Sequence, residues 1–195
     1  LGFLISHGSS AYNVSIFKVS TVQLDYTRIE RDLLGAKEVP AACYYGIHTL
    51  RALENFQISN QKVGTHPHFI RALAQVKKAS AQTNLKFSKI SEQVSQAIQF
   101  ACNELIEFPE QWSTAFPLDV YQGGAGTSIN MNSNEVLANI ALEHLGFQKG
   151  QYEHIHPNDH VNKSQSTNDV YPTALRLATY YSLDDLLIQI QKLID

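Results

Sequence analysis

The residues best suited to chemistry in this sequence of 195 residues lie in two short polar segments, each ahead of a predicted helix. The segments are Gly126-Thr127-Ser128 and Ser166-Thr167-Asn168-Asp169. The start of a helix has backbone N–H groups without intrahelical acceptors and the positive end of the helix dipole, so it favours an anion. The glycines before Thr127 lack a Cβ and let a ligand approach the backbone. The pattern predicts a carboxylate or dicarboxylate site, and the alternative is that residues 166–169 only cap their helix.

Other ligand chemistries fit the sequence less well. The spacing Gly124-x-Gly126 lacks the third glycine of a dinucleotide-binding motif, and no Gly-Lys-Ser/Thr ending follows it. His154, His156 and His160 are of a metal-binding type, but a proline lies between the last two and argues against a helix that would align their rings. We therefore expect neither a nucleotide nor a metal at these residues.

The first half of the chain is expected to supply two scaffold helices. Helical spacing of apolar residues after Pro67, and again between Ser91 and Pro109, predicts helices of about 18 residues each. Residues 11–26 have strand-like composition and are predicted to form a short strand or an extended arm. Residues 28–46 are expected to be ordered but largely irregular.

The two polar segments are expected to lead into the later helices. The glycine-rich turn at 121–128 runs into an apolar helical face over 134–145, which is predicted to stop at Gly146. Pro172 is expected in the first turn of a long helix, since proline is favoured there. This helix carries apolar residues to Asp195 without a stop signal, and the sequence begins with leucine, so a truncated chain is expected.

Composition and charge narrow the class of protein. Fifteen Lys and Arg against eighteen Asp and Glu give a formal net charge of -3, without a basic block that could follow a phosphate backbone. We therefore do not expect nucleic acid as a partner. No apolar run approaches the roughly 20 residues that cross a bilayer, so no membrane span is expected. Cys43 and Cys102 have no close metal-type spacing, which predicts reduced thiols and a cytoplasmic location.

Both polar segments also resemble a known family. The stretch at 119–136, which contains QGGAGTS at 122–128, and the stretch at 156–173, which contains HPND at 156–159 and QSTN at 165–168, resemble signature regions of the aspartase/fumarase superfamily. The resemblance implies a mainly α fold: an N-terminal helical domain at 28–170, followed by the first long helix of a central helical bundle at 171–195. Residues 1–27 do not resemble the family's usual start and are expected to form an atypical extension or arm.

The resemblance implies a reaction and a set of binding residues. QGGAGTS and QSTN are closer to the aspartate ammonia-lyases of this superfamily than to its fumarases, which implies reversible elimination of ammonia from L-aspartate to give fumarate, with no metal or organic cofactor. By the same resemblance, the substrate-binding residues are Thr127, Ser166, Thr167 and Asn168, with Ser128 as a neighbour. None of these side chains is a credible proton acceptor, and the family's general-base serine is expected downstream of residue 195.

Three alternatives stay open at this stage. His156 before Pro157 is the fumarase-like choice, so His156, Asn158 and Asp159 are a possible second anion site and fumarate hydratase is the second candidate. The chain could instead be an inactive fragment that only associates with lyase subunits. A nucleotide bound at the glycine-rich turn is the third possibility. The resemblance further implies that the parent protein is a homotetramer with active sites shared between subunits, and that the isolated chain has no lyase activity and a poorly buried last helix.

Overall fold

The structure, a computed structural model, describes residues 26–195 and is built mainly from α-helices, as expected. Its helices are α1 (Ile47–Asn55), α2 (Pro67–Lys86), α3 (Glu92–Glu107), α4 (Thr127–His144) and α5 (Thr167–Ile194). Short 3-10 turns cover Val63–Thr65 and Pro109–Ala115, a π-helical turn covers Pro157–Val161, and β1 (Thr27–Asp32) pairs with β2 (Gly35–Pro40). The strand or arm expected at 11–26 and most of the extension at 1–27 lie outside the described residues.

The scaffold helices α2 and α3 confirm the prediction from apolar spacing. α2 starts at Pro67, and the hydroxyl of Ser91 caps α3 by accepting a hydrogen bond from the Val94 N–H at 3.3 Å. Leu73, Ile98 and other fully buried apolar side chains of these helices pack with α4 into one core. α4 ends at His144 and Gly146 follows it in a left-handed conformation with φ of 84°, as the predicted stop requires.

The expectation of an irregular segment at 28–46 is wrong, because this segment contains the β1–β2 hairpin. The sequence pattern did not indicate the hairpin because the inward face of β1 is polar. Glu30 points inward and is 4% exposed, while Ile29 points outward and is 75% exposed. Arg28 balances this buried carboxylate, since its Nε lies 2.8 Å from Glu30 Oε1. A strand whose inward residues are paired charges lacks the apolar alternation from which strands are recognised.

A second buried carboxylate joins α1 to α4. Glu135 lies on α4 and is fully buried, and it accepts hydrogen bonds from the N–H groups of Gly46, His48 and Thr49 at 2.8, 2.8 and 3.1 Å. The Thr49 hydroxyl adds a fourth bond at 2.7 Å. The carboxylate therefore caps α1 from a neighbouring helix, and the chain needs no capping side chain at Gly46. Sequence reasoning did not identify α1.

Both helices next to the polar segments begin earlier than the apolar spacing indicated. α4 begins at Thr127, seven residues before the predicted apolar face at 134, because its first turns bury polar side chains such as Asn130 and Asn132. The expected position of Pro172 in a first helical turn is wrong. α5 begins at Thr167, so Pro172 lies inside the helix, where its missing N–H removes one intrahelical hydrogen bond.

The second half of α5 has little to pack against in this chain. Val170, Ala174 and Ala178 are buried, whereas Leu183 and Leu187 are 50% and 62% exposed. The poor burial expected for the last helix is therefore present among the described residues. No helix within residues 26–195 combines the length and the apolarity that a membrane span requires.

Candidate active site

The start of α4 presents unpaired backbone donors. Gly126 precedes it in the left-handed region, with φ of 82° and ψ of 24°, and this turns the chain into the helix at Thr127. The N–H of Ile129 donates to Gln122 Oε1 at 3.2 Å. The N–H groups of Thr127 and Ser128 have no acceptor among the residues described here. The side chain of Thr127 is exposed, so an anion could reach both groups from solvent.

The start of α5 is capped by its own serine. Ser166 Oγ accepts a hydrogen bond from the Asn168 N–H at 3.2 Å, and the Ser166 carbonyl oxygen accepts from the N–H groups of Asp169 and Val170 at 3.1 Å. The capping geometry considered as the alternative is therefore present. It leaves the hydroxyl proton of Ser166 free to be donated, since this hydroxyl acts as an acceptor in the cap. Ser166 and Asn168 are both exposed.

The two helix starts lie side by side. Asn130 Nδ2 in the first turn of α4 donates to Thr167 Oγ1 in the first turn of α5 at 3.0 Å. Gly126 lies against the ring of Tyr171, so close that a Cβ on this residue would be 2.1 Å from Tyr171 Cδ2. Because both helix dipoles have their positive ends here, the local electrostatic potential favours an anion. The structure thus brings together the two segments that the sequence singled out.

A buried lysine beneath these helix starts is a feature that sequence reasoning missed. Lys77 on α2 is fully buried, and its Nζ lies 2.8 Å from Asn162 Oδ1 and 3.1 Å from Gln165 Oε1. Burial lowers the pKa of Lys77 from 10.5 to about 7. The available signal was its position on α2, four residues after the buried Leu73 and therefore on the face that packs into the core.

The residues of the possible second anion site adopt a self-capped turn. His156 Nδ1 accepts hydrogen bonds from the N–H groups of Asn158 and Asp159 at 3.2 and 3.1 Å, and the N–H of His156 donates to His160 Nδ1 at 2.8 Å. The histidine ring thus occupies the N–H groups that an anion would need at this turn. Burial lowers the pKa of His160. Across residues 26–195, no cluster of three or more His, Cys, Asp or Glu side chains could hold a metal ion.

Comparisons with known proteins identify relatives over most of the chain. A family model described as "Lyase" matches residues 35–195. Aspartate ammonia-lyase of Escherichia coli strain K12 is 57% identical over 166 residues, covering 85% of this chain and 34% of the relative. Aspartate ammonia-lyase of Corynebacterium glutamicum is 48% identical over 188 residues, covering 96% of this chain and 36% of the relative. The chain therefore spans about a third of the length of these curated relatives.

Solved structures give the same picture. A fumarate lyase:delta crystallin from Brucella melitensis superposes with a TM-score of 0.84 at 51% identity, covering 87% of this chain and 39% of that structure. A recombinant class II fumarase from Schistosoma mansoni superposes with a TM-score of 0.71 at 39% identity, covering 78% of this chain and 32% of that structure. The sequence comparisons and the structural comparisons thus agree that this chain is similar to proteins described as lyases or as a fumarase.

Proposed function

The chain belongs to the lyase family whose model matches residues 35–195, and we propose that it supplies the substrate-binding segments of an aspartate ammonia-lyase. The observation that supports this most strongly is the convergence of the starts of α4 and α5, where Asn130 joins Thr167 at 3.0 Å. L-Aspartate and fumarate are dicarboxylates, and two adjacent positive helix ends with free N–H and O–H donors suit such ligands. No cofactor is required in the proposed reaction.

The proposed chemistry depends on stabilising a growing negative charge. A base removes a proton from C3 of L-aspartate, and the electron pair of that C–H bond moves onto the adjacent carboxylate to give an aci-carboxylate. This intermediate collapses to the C2–C3 double bond, and ammonia leaves with the C2–N electron pair from the opposite face, which gives fumarate. Fixed hydrogen-bond donors aimed at the aci-carboxylate lower the barrier because they interact more strongly with the doubly charged intermediate than with the substrate.

The described residues divide this binding task between the two helix starts. Thr127 offers a hydroxyl and a backbone N–H at α4, with Ser128 beside it, while Ser166, Thr167 and Asn168 offer two hydroxyls and an amide at α5. Among these groups there is no base of the required strength. We therefore propose, from the family resemblance, that the base is a serine of a part of the parent protein beyond residue 195, and that the isolated chain does not turn over L-aspartate.

Other features of the chain support a proposal on assembly and location. We propose that the parent protein is a homotetramer whose central bundle covers α5, a proposal supported by the exposed apolar residues on that helix, such as Leu183 and Leu187. Nucleic acid and membranes are not proposed as partners. We also propose that the reaction takes place in the cytoplasm, and the free thiols of Cys43 and Cys102 are consistent with a reducing compartment.

One observation favours fumarate hydratase as a second candidate. His156, Asn158 and Asp159 keep the residue set of the possible second anion site, and an anion would have to replace the His156 ring as the acceptor for the N–H groups of Asn158 and Asp159. In this alternative, water rather than ammonia would be eliminated, with L-malate as substrate. An inactive fragment that only pairs with lyase subunits is the non-enzymatic alternative.

An ultraviolet assay for fumarate distinguishes these functions. L-Aspartate and then L-malate are offered to the chain alone, to the remaining C-terminal part alone, and to their mixture. We expect fumarate from L-aspartate only in the mixture. Fumarate from L-malate and not from L-aspartate would support the hydratase. Turnover of L-aspartate by the isolated chain would contradict the assignment of the base. A folded mixture that forms no fumarate from either substrate would support the non-enzymatic alternative.

A further inference from the structure

The turn between the π-helical turn and α5 is attached to α2 by the buried amine of Lys77 and by Asn84, whose Nδ2 donates to the Lys163 carbonyl oxygen at 2.8 Å. Lys77 Nζ donates to Asn162 Oδ1 at 2.8 Å and to Gln165 Oε1 at 3.1 Å. The thiol of Cys102 on α3 is fully buried nearby, and burial raises its pKa to about 12, so it supplies no negative charge to pair with the amine. The ammonium is therefore satisfied by amide oxygens, and a buried lysine held in this way has a positional role.

The chemistry of Lys77 fixes the direction of the neighbouring amides. A protonated lysine has three N–H donors and no acceptor, and a neutral one still has a donor for each of the two oxygens. Asn162 and Gln165 must therefore turn their oxygens toward Lys77. Their amide nitrogens agree with this, since Asn162 Nδ2 donates to the Gln165 carbonyl oxygen at 3.2 Å and Gln165 Nε2 donates to the Val161 carbonyl oxygen at 2.8 Å.

The orientation of Asn162 in turn fixes which groups donate and accept hydrogen bonds at the substrate-binding segment. Asn130 on α4 faces Asn162 Oδ1 at 3.1 Å, so it must present its Nδ2 group there. That Nδ2 group also donates to Thr167 Oγ1 at 3.0 Å. A hydroxyl has one proton and two lone pairs, so Thr167 accepts from Asn130 and keeps its own proton for another acceptor.

We infer that Lys77, Asn162 and Asn130 are positioning residues that orient the Thr167 hydroxyl as a hydrogen-bond donor toward a substrate carboxylate. The inference rests on the proposed function, in which Thr167 contacts the dicarboxylate. None of the three positioning residues has to touch the substrate. They fix which group donates and which accepts at each step of the hydrogen-bond chain from Lys77 to Thr167. The Thr167 hydroxyl, at the end of this chain, is thereby a donor to the negatively charged ligand.

A double-mutant cycle in the parent protein tests the inference. Asn130→Leu keeps the approximate shape of the side chain, removes the donor and adds no charge, so the Thr167 hydroxyl is no longer held with its proton toward the substrate. We expect the KM for L-aspartate and the Kd of succinate to rise by roughly 10-fold, the loss of one hydrogen bond to a charged group. In a Thr167→Val background the same Asn130→Leu change is expected to have no further effect on either constant. Equal effects in both backgrounds would overturn the inference.

Lys77→Met provides the second variant, because methionine fills a similar volume but cannot donate. We expect it to raise both constants in the Thr167 background and not in the Thr167→Val background. Lys78→Met is the matched control: Lys78 Nζ donates to Asn103 Oδ1 at 2.7 Å on α3, away from the turn, and both constants should stay unchanged. Lys77→Met takes the place of Asn130→Leu if the latter does not fold, and circular dichroism checks the fold of each protein.

Succinate binding, measured by calorimetry, separates this inference from the proposed function. If the unmodified protein turns over L-malate instead of L-aspartate, the proposed function fails and the cycle on the Kd of succinate still decides on the positioning residues. If L-aspartate is turned over but neither Asn130→Leu nor Lys77→Met changes the two constants, the positioning role fails alone. Absence of succinate binding by the unmodified protein would overturn the positioning role as well.

Discussion

Lys77 and Glu135 are charged residue types that this fold buries completely, and each connects elements far apart in the sequence. Lys77 reaches from α2 to Asn162, and Glu135 reaches from α4 to the start of α1. Burial lowers the pKa of Lys77 to about 7 and raises the pKa of Glu135 to about 7. Both residues therefore disfavour their charged form in the folded protein, and both make its stability depend on pH.

The pH dependence that comes from Lys77 has a definite sign. The folded protein releases this proton near pH 7, while the unfolded chain holds it up to the ordinary value of 10.5. Between these values the unfolded chain binds more protons, so the free energy of unfolding is expected to rise with pH from about 7 to 10.5. Urea unfolding at several pH values should show a shallower rise in Lys77→Met, with Lys78→Met as control. Parallel pH profiles of all three proteins would contradict this.

Replacement of Glu135 by glutamine is expected to destabilise the protein strongly. Glu135 Oε2 accepts bonds from the N–H groups of Gly46 and Thr49 and Oε1 accepts one from His48, so the amide nitrogen of Glu135→Gln would face at least one of these donors. We expect a loss of about 3 kcal/mol in the free energy of unfolding, measured by urea denaturation, because buried donors lose their acceptor.

Glu143→Gln on the same helix is the control for this change. Glu143 is 41% exposed and lies 3.6 Å from Lys149, so its loss should cost less than about 1 kcal/mol. Equal losses in the two variants would refute the capping role of Glu135. The raised pKa of Glu135 also predicts that stability falls as pH rises from 4.5 to about 7, and this fall should be absent from Glu135→Gln.

At the scale of elements, the apolar spacing was sufficient where a helix buries apolar residues and failed where it buries polar ones. α2 and α3 were predicted because Leu73 and Ile98 belong to regular apolar faces. The hairpin and the first turns of α4 were not predicted, because their inward residues include Glu30 and Asn130. The partners of such residues lie far away in the sequence, and only the folded chain reveals them.

The candidate site was predictable to a similar extent. The two polar segments could be recognised from helix-start chemistry, and the resemblance to a family gave the roles of Ser166, Thr167 and Asn168 as predictions. Lys77 and its contacts were not predictable, since it lies 85 residues from Asn162 along the chain. The predicted start of α5 at Pro172 was wrong. The prediction relied on the preference of proline for the first helical position, whereas in the structure α5 begins directly after the Ser166 cap.

The close contact between the two helix starts depends on a missing side chain. Gly126→Ala would place a Cβ 2.1 Å from the Tyr171 ring, so the starts of α4 and α5 must separate. We expect the Kd of succinate for the parent protein to rise about 10-fold or more, since a shift near 1 Å misaligns the donors. Calorimetric titration measures this.

Gly146→Ala is the matched control for Gly126→Ala. Gly146 also has a positive φ, of 84°, and follows the opposite end of α4, and a Cβ there would meet nothing within 4 Å. This change should cost about 1 kcal/mol of stability through the left-handed backbone and leave succinate binding nearly unchanged. A similar rise in the Kd for both variants would show that backbone strain, and not the contact with Tyr171, controls the site.

At the scale of the whole molecule, residues 26–195 form one packed helical core from which the second half of α5 extends. The first turns of α5 are anchored by Val170, Ala174 and Ala178, while Leu187 and Leu193 are 62% and 88% exposed. The chain spans about a third of the length of its curated relatives, and contiguous exposed apolar side chains are typical of interaction surfaces. These observations fit an assembly in which other helices cover α5.

Limited proteolysis tests this description of α5. In the chain alone, chymotrypsin is expected to cleave within 180–194 before it cleaves elsewhere in residues 26–195, because few buried contacts oppose local unfolding there. Phe100 on α3 is the internal control, since it is 38% exposed but its helix is packed. Addition of the remaining C-terminal part should protect 180–194. Cleavage at Phe100 as fast as in α5 would contradict this account.

The central claim is that the starts of α4 and α5 together bind a dicarboxylate. A crystal structure of the parent protein with succinate, which lacks the amino group that leaves, tests it most directly. We predict one succinate carboxylate within hydrogen-bond distance of Thr127 and the other within hydrogen-bond distance of the Ser166–Asn168 segment. Succinate bound only at His156–Asp159, or bound without contact to either helix start, would contradict the claim.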